Sequence, residues 1–188
     1  MSEDSPTTLR ARLDAFVGQR LGEGGVAPDP VNVPMIRHWV DAMDDQNPVY
    51  LDELVAKRTR HAGVVAPPAM LQTWTMPRPR IQGLAERGGA PTESVAESPI
   101  SVLDAAGYRA TRATDSELEF ERYLRPGDLL SNETVVESIS DEKTTRLGTG
   151  FFVTWVTTWK DQTGEVVGRQ RFRVLKFRPA ASGGEESA

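Results

Sequence analysis

From Gly107 onward the chain stops repeating at helical spacing and begins to alternate, and this switch restricts the fold more than any other feature. Leu118, Phe120, Arg122 and Leu124 alternate with Glu117, Glu119, Glu121 and Tyr123. Arg125-Pro126-Gly127-Asp128 predicts a turn, 129–140 a second strand and Asp141-Glu142-Lys143 a second turn. A long strand follows over 144–159, with Phe151, Val153, Trp155 and Trp159 on one face. Residues 161–164 turn again, and 165–178 form the last strand. Strands joined by turns this short pair antiparallel, because a parallel pair needs a crossover of a dozen residues or more.

The part before Gly107 reads as helices. Leu9, Leu13, Phe16 and Val17 recur at the spacing of a short amphipathic helix, and the Gly- and Pro-rich stretch 22–30 is a loop. Pro34 suits a first helical turn, after which Met35, Ile36, Trp39, Val40 and Met43 make one apolar face. That helix stops in Asp44-Asp45-Gln46-Asn47-Pro48. Asp52 is placed to cap a helix over 53–60 that turns Leu54 and Val55 inward, with Gly63 ending it. Residues 64–76 predict a mostly apolar and therefore buried helix through Met70, Leu71, Trp74 and Met76, ended by Pro77 and Pro79. The apolar-poor stretch 78–104 reads as a long loop or insertion. Helices first and an antiparallel run second is an α+β domain with its sheet packed on one buried helix. A curled sheet wrapped around such a helix is the hot-dog arrangement, which pattern alone does not separate from other α+β meanders. The domain is expected to span 1–178, with 179–188 a flexible tail or linker.

Composition removes several function classes. A formal net charge of -5 argues against nucleic-acid binding by the molecule as a whole. The absence of cysteine excludes thiolate metal sites and Cys nucleophiles, and two histidines, His38 and His61, make a His-rich metal site an unlikely design. No apolar run approaches the roughly 18 residues of a membrane helix, and the first residues lack a signal-peptide core, so a cytoplasmic protein with no membrane partner is the expectation.

Three stretches in order resemble the MaoC-like, or R-specific, enoyl-CoA hydratase family. Ala42-Met43-Asp44-Asp45-Gln46-Asn47-Pro48-Val49-Tyr50 is similar to the hydratase motif A-x-x-G-D-x-N-P-x-H. Gly63-Val64-Val65-Ala66-Pro67-Pro68-Ala69-Met70 resembles the start of the family's hot-dog helix, and Tyr123-Leu124-Arg125-Pro126-Gly127-Asp128-Leu129 its R-P-G-D turn. The set covers about residues 33–178. The stretches VAPPAMLQTWTM, DAAGY, RYLRPGD and VLKFRPA further resemble the larger subunit of actinobacterial steroid side-chain hydratases. The resemblance implies a single hot-dog fold, an α,β-unsaturated acyl-CoA with a bulky ring system as substrate, and no cofactor beyond that thioester. It also implies a small MaoC-like catalytic subunit as partner in a heterodimer or heterotetramer. Such larger subunits often continue into a C-terminal domain that docks an aldolase, whereas this chain ends at Ala188 in linker-like sequence.

Hydrating an enoyl thioester takes a base for water, an acid for the α carbon and donors for the enolate oxygen. The resemblance puts Asp45 at the motif aspartate and Tyr50 where the histidine belongs. A phenol titrates near ~10 and is a poor base at neutrality, where an imidazole at ~6.5 is a good one. It also puts Pro68, which has no N–H, where active members carry a glycine whose amide holds the oxygen. Both losses point to a chain that is not catalytic by itself. Asn47, Pro48, Tyr50, Val65, Ala66, Pro67, Ala69, Met70 and Trp74 are the residues the resemblance implies for substrate binding, with no metal site. A long segment 78–104 would leave room for a large acyl group.

Plainer readings stand beside these. Asp44 and Asp45 could be a helix-end turn, Tyr50 a packed ring, and His38 and His61 surface residues. The run Lys57-Arg58-Thr59-Arg60-His61 is either a CoA phosphate contact or a solvated helix end. Arg169, Arg171 and Arg173 are expected to pair across strands with Glu117, Glu119 and Glu121 rather than bind phosphate. Phe151, Trp155 and Trp159 read as core or interface. Two other functions stay open: a self-sufficient homodimeric hydratase or hot-dog thioesterase using Asp45, and a scaffold that holds acyl-CoA or a partner enzyme.

Overall fold

The computed structural model describes residues 6–76 and 97–180. Five short α-helices, α1 (Pro6–Asp14), α2 (Val33–Met43), α3 (Pro48–Leu51), α4 (Glu53–Lys57) and α5 (Pro99–Ala105), accompany a central 3-10 helix, Pro68–Thr75. Six strands complete it: β1 (Gly25–Val26), β2 (Ala110–Phe120), β3 (Ser131–Ile139), β4 (Lys143–Thr145), β5 (Gly148–Lys160) and β6 (Val166–Pro179). The pairing is antiparallel throughout, in the order β1-β3-β5-β6-β2, with β4 on β5. A curled antiparallel sheet around a short central helix is the hot-dog fold.

Helices α2, α3 and α4 each start where a side chain satisfies free N–H groups. The Asn32 side chain accepts from the Met35 N–H at 3.0 Å, Asn47 from Val49 at 3.2 Å, and Asp52 from Leu54 at 2.8 Å and Val55 at 3.1 Å. Helix α2 ends at Asp44, whose φ of 51° lies in the left-handed region. That is the position at which the hydratase motif carries glycine.

On β5, Phe151, Val153 and Trp159 share one face, and that face carries two clusters. Trp159 joins Val31, Ile36, Val40, Val65, Met70, Leu71 and Trp74 under the central helix. Phe151 and Val153 join Leu9, Leu13, Val102, Leu103 and Val174 under α1 and α5. The central helix presses close to the sheet: a Cβ at Gly168 would stand 2.7 Å from a Leu71 methyl, and 2.8 Å from the Glu119 backbone carbonyl, which cannot swing away as the methyl can. It is also pinned at its end. The Thr75 hydroxyl accepts from the Trp159 indole N–H at 2.8 Å and from the Asn132 amide at 2.9 Å.

Several expectations need correction. The buried segment 64–76 is a 3-10 helix over Pro68–Thr75 rather than a long α-helix, consistent with two prolines at its start and the close approach at Gly168. Helix α4 stops at Lys57 instead of 60, and it buries Ala56 while Leu54 and Val55 face solvent. The helix is little more than one turn long, so one position, Ala56, is covered. The stretch 78–104 is not all loop, because Ser98 and Ser101 form a capping box that starts α5. Residues 77–96 and 181–188 lie outside the described residues, as does the expectation of a roomy loop and of a flexible tail. The strand expected over 144–159 is two strands broken at 146–147. Of the β6 arginines, Arg169 meets an expected glutamate, Glu121 at 2.5 Å, whereas Arg173 pairs with Asp115 at 3.4 Å rather than with Glu117 or Glu119. Arg171 instead crosses β5 to Glu137 at 2.7 Å, because the bulge in β3 turns that carboxylate toward it.

Candidate functional site

The motif loop runs from the end of α2 into α3. Asp45, half-buried, accepts from the Asn47 N–H at 3.0 Å, and its own N–H donates to the Val40 carbonyl at 2.9 Å. The carboxylate is thus fixed within its own turn. Pro48 opens α3 and stays exposed, while Tyr50 turns inward and is buried. Burial first, then the nearby Tyr123 and Asp45, raise the Tyr50 phenol above its ordinary range. The phenol therefore stays protonated at neutral pH. Among the described residues no hydrogen bond links it to Asp45.

The start of the central helix lies beside this loop. The Ala66 N–H donates to the Leu124 carbonyl at 2.8 Å, which ties the helix entry to the segment before the 125–128 turn. Pro67 and Pro68 have no N–H to offer, and Met70 donates to the Pro67 carbonyl at 3.0 Å. The first amide past Ala66 is therefore that of Ala69, which is exposed. Val65, Ala66 and Met70 are buried in the core below it. Trp74 lies one helix-length away; its indole N–H is buried and has no acceptor among the described residues.

The turn that closes this region is held by a charged clamp. Arg122 donates to Asp128 at 2.7 Å and to Asp161 at 2.7 Å, joining the 125–128 turn to the β5–β6 hairpin. Asp161 also accepts from the Thr163 hydroxyl at 2.7 Å, the Thr163 N–H at 2.8 Å and the Glu165 N–H at 3.1 Å. The Thr163 hydroxyl first, then Arg122 and the two backbone donors, outweigh burial and hold the Asp161 carboxyl at about 2. The same pairing raises Arg122 further above its already high range.

His61 departs from the surface reading. It is half-buried with its ring 4.4 Å from that of Tyr123, and burial followed by Arg60 and Arg125 lowers its pKa. His38 is exposed as expected.

A model of the FAS1-like dehydratase domain region matches residues 15–170. The chain belongs to the FAS1-like dehydratase family. Within this family its hot-dog fold is of the MaoC-like hydratase type. It is 52% identical over 169 residues to a "probable enoyl-CoA hydratase alpha subunit" of Thermomonospora curvata, covering 89% of this chain and 51% of that protein. It is 41% identical over 158 residues to the "3-oxo-4,17-pregnadiene-20-carboxyl-CoA hydratase alpha subunit" of Mycobacterium tuberculosis, covering 84% of this chain and 48% of that one. The chain thus spans about half the length of these curated relatives. A chain in the crystal structure of the ChsH1–ChsH2 complex from Mycobacterium tuberculosis superposes with a TM-score of 0.76 at 34% identity, over 97% of this chain and 98% of that one.

In this dehydratase-family chain the fold brings Asp45, Tyr50 and the start of the central helix to one end, with Tyr123 beside Tyr50. Trp74 stands apart from them. Sequence reasoning missed Tyr123 and its contact with His61, since 62 positions separate them and no periodicity links a helix-end turn to a strand end. The hint available was the cluster of cations at 57–61 and 122–125.

Proposed function

We propose that this chain is the non-catalytic, substrate-shaping half of a heteromeric enoyl-CoA hydratase acting on a bulky acyl-CoA of the steroid side-chain type. The observation that carries the reading is the double loss at one place: a buried, protonated phenol at the histidine position, beside a helix entry where two successive residues have no N–H. A site so built cannot take a proton from water at neutral pH, and it lacks the amide donor at the motif glycine position. The base, acid and oxyanion donors would come from a small MaoC-like subunit carrying an intact Asp and His. The names of the relatives, each an alpha subunit of a hydratase, support this division of labour, as does the two-component complex that contains the structural neighbour.

In this reading the chain's own residues bind and exclude water. Val65, Ala66, Met70 and Trp74 pack in the buried core at and before the central helix and fix its position against the sheet, which sets the shape of the space beside it. The unmatched Trp74 indole N–H is the donor we assign to a polar atom of the acyl group, since a buried donor without an acceptor costs about 1–3 kcal/mol until one arrives. Asn47 and Pro48 hold the loop, and Asp45 serves that turn rather than the chemistry.

The test is hydration of an enoyl-CoA by the chain alone, by a small hot-dog subunit alone and by the two together. Turnover only in the mixture, unchanged by Asp45→Asn in this chain, is the expected result. Turnover by this chain alone, abolished by Asp45→Asn, would instead establish the self-sufficient enzyme. No turnover with any hot-dog partner would favour a scaffold.

A further inference from the structure

Beside Tyr50 lies a groove of about 470 Å³ that the catalytic reading does not use. Arg60 and His61 form one wall; the end of β2 and the residues after it, Phe120 to Arg125, form the other. Its charge is unbalanced. Arg122 is already paired with Asp128 and Asp161, and Glu121 is drawn off by Arg169 at 2.5 Å. Arg60 and Arg125 are exposed, and among the described residues neither meets a carboxylate. Both stand close enough to His61 to depress its pKa. The neutral imidazole therefore adds no charge near pH 7, and two arginines face one hollow, Arg60 over the Tyr123 ring at 6.0 Å, while Glu121, the carboxylate in its lining, is paired with Arg169.

The groove also offers flat apolar surface. Phe120 is 43% exposed at its rim, at the end of a strand whose preceding residues are mostly polar or charged. Tyr123 lies on its floor between His61 and Tyr50. Planar guanidinium forks match phosphate oxygens in pairs, and an open aromatic face takes a base by stacking. The volume lies within the range of roughly 300–1,000 Å³ common to small-molecule sites.

We propose that this groove binds the phosphorylated nucleotide end of coenzyme A, with Arg60 and Arg125 on the phosphates and Phe120 against the purine. The proposal rests on the reading above that the ligand is a CoA thioester, and it assigns to this chain the end of the carrier farthest from the chemistry. Arg122 takes no part, because its fork is filled by the clamp.

The direct experiment is calorimetric titration of the full 188-residue chain with adenosine 3′,5′-bisphosphate. Binding weakened about tenfold or more by Arg60→Ala with Arg125→Ala, weakened by Phe120→Ala and untouched by Arg112→Ala on the same strand supports the assignment. Unchanged melting temperatures show that the variants fold, and Arg60→Lys with Arg125→Lys should restore part of the affinity. Inorganic phosphate binding as tightly as the bisphosphate would overturn the nucleotide assignment, as would equal affinity in the double variant or no binding at all. A second arm uses the complex with its small subunit. The double variant should raise KM for an enoyl-CoA and leave the same acyl group on pantetheine unaffected; equal effects on both would refute it. Failure of the complex to hydrate either thioester would sink the functional reading, while the titration would still report on the groove.

Discussion

Replacing Asp161 by asparagine tests whether the clamp holds the molecule together at the site end. The substitution keeps the shape of the side chain but removes its charge, and it turns an amide N–H₂ toward the Arg122 guanidinium that now lies 2.7 Å from Oδ2. Asp161 titrates at about 2 in the folded chain, against an ordinary carboxyl near ~3.8 when unfolded. That gap corresponds to about 2.5 kcal/mol of stability at neutral pH. The side chain is 4% exposed but its partner Arg122 is 28% exposed, so solvent screening makes this an upper figure. The sign follows from proton counting: between the two pKa values the unfolded chain binds the extra proton, so the contribution is complete above about pH 4.5 and fades as pH falls through about 2. The asparagine variant should therefore melt roughly 5–10 °C below the parent at pH 7. In urea, about half of the difference in unfolding free energy should remain at pH 3, and little of it at pH 2. A variant that matches the parent at pH 7, or a difference that persists undiminished at pH 2, would show that the carboxylate is not held as described.

Three further outcomes are expected. Thr75→Val leaves the Trp159 indole N–H and the Asn132 amide without their acceptor, and should cost about 2 kcal/mol in urea unfolding; a neutral change would mean the central helix is not pinned there. Gly150→Ala drives a methyl into the Lys176 carbonyl and within 2.6 Å of the Phe177 Cα. It should lower stability by about 3 kcal/mol or prevent soluble expression, and a wild-type melting curve would refute the close β5–β6 approach. Asp44→Gly relieves a left-handed residue at φ 51°, and should raise the unfolding free energy measured in urea by about 0.5 kcal/mol even though the Gln46 amide loses its 2.9 Å contact.

Periodicity was a good guide where one face of an element is buried. The strands from Leu118 onward and the helix through Ile36 and Val40 both emerge, since alternation and 3.6-residue spacing report burial directly. It failed where an element is too short to show a period, as at α4 and α5, and where the hydrogen-bond pattern rather than burial distinguishes two helices, as at Pro68–Thr75. Leu54 and Val55 were misread for the same reason: a single turn cannot show which way it faces.

What the linear order determined by itself are the chemical identities: a tyrosine at 50, two prolines without an N–H at 67 and 68, no thiol anywhere, and the alternation that commits the second half to strands. Those facts hold in any fold. Only the tertiary structure decided what surrounds them. It buried Tyr50 beside Tyr123, carried His61 onto that ring, divided the β5 aromatics between two clusters, and left Arg60 and Arg125 facing one hollow. Such juxtapositions arise from packing between segments dozens of residues apart, and local spacing carries no record of those distances.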